Sequence, residues 1–319
     1  MLASIIQANN DDGFVPVVPV KHGEKITAPG VYDIPMGWYH GDCCVGPSVS
    51  SSGLRRIANY SPLHFFATSI FNPNREDEDS DAEESMALRV GRAAHTLLLE
   101  PDLFRSLYCT RPPSFDSWRT QASQKWRAAA QVDGFTVLEP KEMQQVQGVA
   151  ASLRQHPLYE LGILDGDVER AIIWQDEKTG IWLKSRPDVI PRGSNILADL
   201  KCTNDCRSDK VAKKIFEMGY DTQLGLAAVG MREVLRREVE EFALVMVEYK
   251  KPFGVRIASL PHDEIDRGLS VGRFALNRLA TCLETNEWPS FDLDDNAFVY
   301  RSQFQQKIID SDARFPKEF

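Results

Sequence analysis

SRPDVIPRGSNILADLKCT, residues 185–203, is the stretch whose reading decides the fold. Two apolar runs meet across Pro191-Arg192-Gly193-Ser194-Asn195, and both carry charges that a buried strand normally avoids. Val189 and Ile190 follow Asp188, while Ile196, Leu197, Ala198 and Leu200 surround Asp199 and Lys201. Strand side chains alternate, so Asp199 and Lys201 project from one face. A turn at 191–195 would fold the runs into a hairpin and bring Asp188 toward that face. Two carboxylates and an ammonium then converge at the edge of an apolar sheet. Such an arrangement costs free energy unless a metal ion or a substrate compensates it.

On the N-terminal side, Val168–Gln175 and Gly180–Ile190 read as strands joined by the turn Asp176–Gly180. With Asn195–Lys201 they predict a three-stranded antiparallel meander. On the C-terminal side, helices are expected over Ser208–Met218 and Asp221–Arg236, and a strand pair over Phe242–Tyr249 and Val255–Leu260. A long amphipathic helix follows at Asp263–Asn286, closed by Trp288-Pro289. Further upstream, Leu88, Ala94, Leu97 and Leu98 set a core-facing helix at Met86–Glu100 that carries His95. Ser50, Ser51 and Ser52 offer N-caps for one broken helix or two short ones around Pro62. Residues 30–290 parse as one domain, 1–29 as an N-terminal arm and 291–319 as a C-terminal tail.

Composition narrows the class. The chain has 319 residues, 43% hydrophobic and 26% charged, which is ample for a packed core. No apolar run approaches the roughly 18 residues that span a bilayer, and residues 1–13 lack the basic and apolar regions of a secretory signal. Six scattered cysteines do not make a disulfide scaffold and fit a reducing compartment, so a cytoplasmic location is expected. The net charge of −9 argues against a nucleic-acid partner only at first sight. Glu76, Asp77, Glu78, Asp79, Asp81, Glu83 and Glu84 account for most of it, and the rest of the chain is close to neutral. The run 76–84 reads as a solvated acidic loop.

Asp188, a gap, then Asp199-Leu200-Lys201 has the form P-D…D-x-K. Hydrolysis of a phosphodiester needs an activated water and neutralised phosphate charge. Carboxylates from different strands can hold Mg²⁺, and a lysine on the same face can orient the attacking oxygen. The short pattern alone is weak, because any surface strand can carry Asp-x-Lys. Its setting in an apolar sheet strengthens it. These residues resemble the PD-(D/E)xK nuclease core. Further blocks resemble the nuclease domain of exonuclease VIII, the RecE type of prophage recombination systems. They are GVYDIPMGWYH at 30–40, VSSSGLRRIA at 49–58, VGRAAHTLLLEP at 90–101, AIIWQDEKTGIWLKSRPDVI at 171–190, ADLKCT at 198–203, YDTQ at 220–223 and CLETNEWP at 282–289.

The resemblance implies an α/β fold, with a restriction-endonuclease-like central mixed sheet flanked by helices. It implies Mg²⁺ (with Mn²⁺ as substitute) held by His95, Asp188, Asp199 and the backbone carbonyl of Leu200, with Lys201 assisting the nucleophile. The implied activity is a 5′→3′ exodeoxyribonuclease on linear double-stranded DNA ends, leaving 3′ single-stranded overhangs. Implied partners are further copies in a ring, such as a tetramer, and a single-strand annealing protein of the RecT type, with no membrane. Gln223 is either the motif glutamine that related nucleases carry near the active site and DNA or an ordinary helix-surface glutamine. Ala227 replaces the tyrosine often found four residues later, leaving Tyr220 as a substitute contact. Arg186 is either a phosphate contact or an ion-pair partner of Asp188 or Asp199, and Glu169 is either a site acid or a solvent-facing strand residue. Lys210, Lys213 and Lys214 are either a phosphate rim or a solvated helix face. Cys202 and Cys206 flank the site, but the other cysteines do not complete an iron–sulfur ligand pattern.

Overall fold

The structure, a computed structural model, describes residues 15–75 and 85–291. The expected acidic loop 76–84 and the tail from 292 onward lie outside the described residues, as do residues 1–14. Strand β6 (Ala171–Gln175) pairs antiparallel with β7 (Trp182–Ser185) across the Asp176–Gly180 turn, as the sequence predicts. Strand β1 (Gly30–Tyr32) adds antiparallel to β6, and β2 (Ser48–Ser50) adds parallel to β7, giving a four-stranded sheet. Packing begins ahead of Gly30, because Val15 and Ile26 are already buried.

The meander needs one correction. Strand β9 (Ile196–Thr203) has no ladder with its sequence neighbour β8 (Val189–Pro191) among the described residues. It pairs parallel with β10 (Glu241–Glu248), placing Leu244 opposite Asp199, and β11 (Val255–Leu260) closes this second sheet antiparallel to β10. Strand β8 instead pairs antiparallel with β5 (Gly166–Val168). The physical reason lies in the connection. Parallel strands need a long crossover, and the helices Ser208–Glu217 and Tyr220–Gly230, with a π-helical turn at Met231–Leu235, supply it between β9 and β10.

Alternation along β9 then feeds two cores. Leu197 packs into a cluster with Phe242, Leu244, Met246 and Leu224. Ile196, Ala198 and Leu200 enter another with Ala243, Val245, Val90 and Val149. Both faces of this sheet are covered, as a strand with parallel pairing requires. Asp199 shares the face of Leu197, so its carboxylate is carried into the interior with no choice of side. The helix Met86–Leu99 forms as predicted and buries Val90, Ala93, Ala94 and Leu98. Leu88, expected in its core stripe, is exposed; it lies six residues before Ala94, off the i±3/i±4 face. Two helices, Ser51–Asn59 and Pro62–Thr68, realise the region around Pro62. No helix among the described residues is long and apolar enough to cross a membrane.

Candidate active site

His95, Glu169 and Asp188 converge from three elements, and one potential ligand atom of each lies within 4.8 Å of the other two. His95 comes from the helix Met86–Leu99, with Nε2 3.0 Å from Asp188 Oδ1 and Nδ1 3.7 Å from Glu169 Oε1. Glu169 sits between β5 and β6 at φ 55°, in the left-handed region that non-glycine residues seldom occupy. Its N–H donates to the Asp188 carbonyl at 3.1 Å. The bend costs backbone energy and turns the Glu169 carboxylate toward His95 instead of solvent. Asp188 ends the loop ahead of β8, and its Oδ2 accepts from the Leu200 N–H at 2.6 Å. That bond replaces the expected hairpin ladder as the link between Asp188 and the Asp199–Lys201 face.

Asp199 lies beside this trio. Its Oδ2 forms an ion pair with the Lys201 ammonium, and its Oδ1 accepts from Gln223 Nε2 at 3.0 Å. Lys201 Nζ also sits 5.2 Å from the centre of the Tyr220 ring. Tyr220 and Gln223 open the helix Tyr220–Gly230, whose N-cap Gly219 takes φ 62°. A Cβ at Gly219 would fall 2.5 Å from Arg55 Cδ, so only glycine lets the helix start this close to the arginine. Tyr220 is buried, which makes it a wall for the lysine and not the expected DNA contact. Arg186 pairs with Glu169, Nε to Oε2 at 2.8 Å, and donates to the Ile34 carbonyl at 2.8 Å. Neither Asp188 nor Asp199 is its partner.

The electrostatics explain why these groups stay ionised or strain to do so. Burial disfavours a charged His95, yet Asp188 and Glu169 outweigh it and raise the imidazole to about 9. Burial also opposes the Asp188 carboxylate, but His95, Lys201 and the Leu200 N–H hold it below the usual range. Asp199 is pushed upward by burial and then by the neighbouring Asp188 charge, against the pull of Lys201. Glu169 shifts the same way for the same two reasons. Burial works against the Lys201 charge, and the two aspartates more than restore it. Two of the three acids are therefore short of positive charge, and an oxygen-seeking cation would relieve both. One imidazole nitrogen and carboxylate oxygens form a donor set that suits a divalent cation. His95, Glu169 and Asp188 are the residues that fit such an ion, with Asp199 next to them.

A cleft of about 220 Å³ opens over Glu169, Asp188, Asp199 and Gln223, lined also by Tyr39, His40, Ser50, Ser51, Ser52, Arg55 and Ala227. The family model for a PDDEXK-like domain of unknown function (DUF3799) matches residues 50–291. The chain belongs to this family. Its PD-(D/E)xK nuclease domain is thus the fold the sequence predicted, with mixed sheets flanked by helices. A crystal structure from Eubacterium rectale, described as a "putative exonuclease", aligns with 82% of this chain and 92% of its own at a TM-score of 0.52 and 15% identity. At that identity the likeness concerns the fold. No curated protein matches the sequence.

Several residues of this PDDEXK-like domain were not read as site residues from sequence. Ser50–Ser52 read from sequence as helix caps, but the Ser50 side chain makes no cap bond and its hydroxyl instead lies 2.9 Å from that of Ser52. Arg55 and Tyr39 carried no signal beyond lying in the blocks 49–58 and 30–40. The lysines after β9 divide: Lys214 Nζ donates to Thr203 Oγ1 at 3.2 Å and to the Cys202 carbonyl, while Lys213 pairs with Glu217 and Lys210 with Asp209. The Cys206 thiol donates to the Met246 and Gly254 carbonyls, each at 3.5 Å, in the interior. Trp288 stacks on Phe66 with centroids 4.5 Å apart, closing the fold under the long helix His262–Thr285.

Proposed function

We propose that this chain is a Mg²⁺-dependent exodeoxyribonuclease acting on the ends of linear double-stranded DNA, with Mn²⁺ able to replace Mg²⁺. The observation that carries the reading is the convergence of His95 with Glu169 and Asp188, and of Lys201 with Asp199, where the three carboxylates line one hydroxyl- and arginine-bearing cleft. A bound divalent ion supplies water activation and phosphate polarisation. The Lys201 ammonium, kept charged by Asp199, stands ready to hold an attacking water and offset charge building on the phosphate. Tyr220 excludes bulk water from that ammonium, and Gln223 fixes the rotamer of Asp199. Ser50–Ser52 and Arg55 line the far side of the cleft and offer hydroxyl and guanidinium donors to backbone phosphates.

The exonuclease character is supported by the blocks shared with the RecE type and by the description of the structural neighbour. The same resemblance supports 5′→3′ polarity, a 3′ overhang, a ring of identical copies, a RecT-type annealing partner, a role in phage-type recombination and a cytoplasmic site of action. The test is release of acid-soluble nucleotides from end-labelled linear duplex DNA with and without Mg²⁺, beside covalently closed circles. Loss of the linear form alone supports the proposal. Cutting of the circles would convert it to an endonuclease of the same fold, and no hydrolysis of either would leave a DNA-binding scaffold.

A further inference from the structure

The active-site cleft does not stop at Arg55. Ser52 and Arg55 also line a second depression of about 460 Å³, whose walls include Arg56, Asn59, Tyr60, His64 and Met218. Two rings in its wall, Tyr60 and His64, continue to a third, Phe291, as a row. Tyr60 lies 5.6 Å from His64, and His64 lies 5.3 Å from Phe291, centroid to centroid. The outer rings, Tyr60 and Phe291, are each 60% exposed. The middle ring is fixed, with His64 Nδ1 2.6 Å from the Ser61 hydroxyl. A core does not require two large aromatic side chains to stand this far in solvent at the ends of one row.

We propose that this row is a stacking platform for unpaired nucleotides, so that a single polynucleotide strand bound for the catalytic cleft lays bases on Tyr60 and Phe291 and crosses Arg56 and Arg55. The proposal rests on the nuclease reading above and adds the form of nucleic acid that the second depression takes. Bases within a duplex are already stacked on one another and cannot use an aromatic face on the protein, whereas unpaired bases can. Charge selects a polyanion over an apolar partner. Among the described residues lining this depression, Glu217 is the one acid, and it is paired with Lys213 at 3.4 Å. Continuity with the first cleft through Ser52 and Arg55 gives the strand a path from the rings to the carboxylates.

The test is anisotropy of a fluorescein-labelled 20-nucleotide oligothymidylate and of a blunt 20-base-pair duplex, with the full chain at fixed salt in EDTA so that hydrolysis is off. Tyr60→Ala/Phe291→Ala should bind the oligothymidylate at least about tenfold more weakly, since each stacked base contributes on the order of 1–3 kcal/mol. Duplex affinity should stay within about twofold, and Tyr60→Phe should keep the affinity of the unaltered chain for the oligothymidylate. Equal oligothymidylate binding by the double variant overturns the proposal. So does a fall in sedimenting mass with that binding unchanged, which would make the row a contact between copies of this chain. Mg²⁺-dependent hydrolysis of linear duplex, assayed separately, judges the nuclease reading. Its failure with stacking intact would leave a single-strand-binding protein.

Discussion

Two buried aspartates face cations in this molecule and are treated in opposite ways. Asp176, at the β6–β7 turn, is fully served. Arg273 of the long helix donates to both its oxygens, at 2.7 and 3.0 Å, and Thr179 adds its N–H at 3.0 Å and its hydroxyl at 2.8 Å. Burial would raise Asp176, but the Arg273 and Thr179 bonds hold it below its usual value. Asp199 has one lysine and one amide, with Asp188 close enough to repel it, and is raised. Here the served acid holds the fold together, and the acid left short of partners sits at the candidate site. Asp176 ties the β6–β7 hairpin to a helix, whereas Asp199 waits beside a cleft.

The strongest way to break that distinction is Lys201→Ala. If Asp199 and Lys201 serve chemistry, Mg²⁺-dependent hydrolysis of linear duplex DNA should fall by about 10²- to 10³-fold, the scale of losing one donor to a developing charge. The chain should still unfold in one cooperative transition by circular dichroism. An active Lys201→Ala enzyme, or one that no longer folds, would make the pair as structural as Asp176–Arg273.

The converse variant is Asp176→Asn. It removes charge-assisted bonds that contribute roughly 1.5–3 kcal/mol each when buried, although the Arg273 side chain is 42% exposed, which screens part of that gain. A net loss of about 2 kcal/mol is expected, seen as a transition several degrees lower, with turnover per folded molecule unchanged. The pH dependence has a definite sign. The folded carboxyl lies below its ordinary 3.8, so its contribution is complete above that value and is lost as pH falls through the lower folded value. Urea midpoints of the two proteins should therefore differ at pH 7 and draw together only below about pH 4. A difference that vanished nearer neutrality would point to some other group.

The fold was legible wherever local chemistry decided it. Alternation in β9, the Asp176–Gly180 turn and the helical stripe through Ala94, Leu97 and Leu98 each signal their element from a few neighbouring residues. The partner of β9 was not legible in the same way. A turn signal at 191–195 argues for a hairpin, and only the crossover helices at 208–235 argue for parallel pairing with β10; a rule about adjacent strands favours the wrong one. The P-D…D-x-K residues were readable because strand periodicity fixes their side. Glu169 reads from sequence only as one of two alternatives, because its role depends on a left-handed backbone turn that a glutamate does not announce. The burial of Tyr220 and the pairing of Arg186 with Glu169 depend on segments far apart in sequence, which no local pattern carries.

The finest discrimination concerns Gln223, a residue that reads from sequence either as a motif glutamine or as a helix-surface side chain. Its amide donates to Asp199 Oδ1, the oxygen that Lys201 does not hold. If that bond merely decorates a helix, Gln223→Ala should leave every kinetic constant within about twofold. If it positions Asp199 beside the ion-binding trio, its loss should appear first in the metal dependence. Removing a hydrogen bond behind a metal-site carboxylate costs about tenfold at the low end of the usual range. The Mg²⁺ concentration for half-maximal rate should then rise by about that factor, while the rate at saturating Mg²⁺ recovers most of its value. A rate that stayed low at saturating Mg²⁺ would place the glutamine on the substrate instead. Asp176 has no counterpart to this behaviour, since its four hydrogen bonds leave no oxygen waiting for an ion.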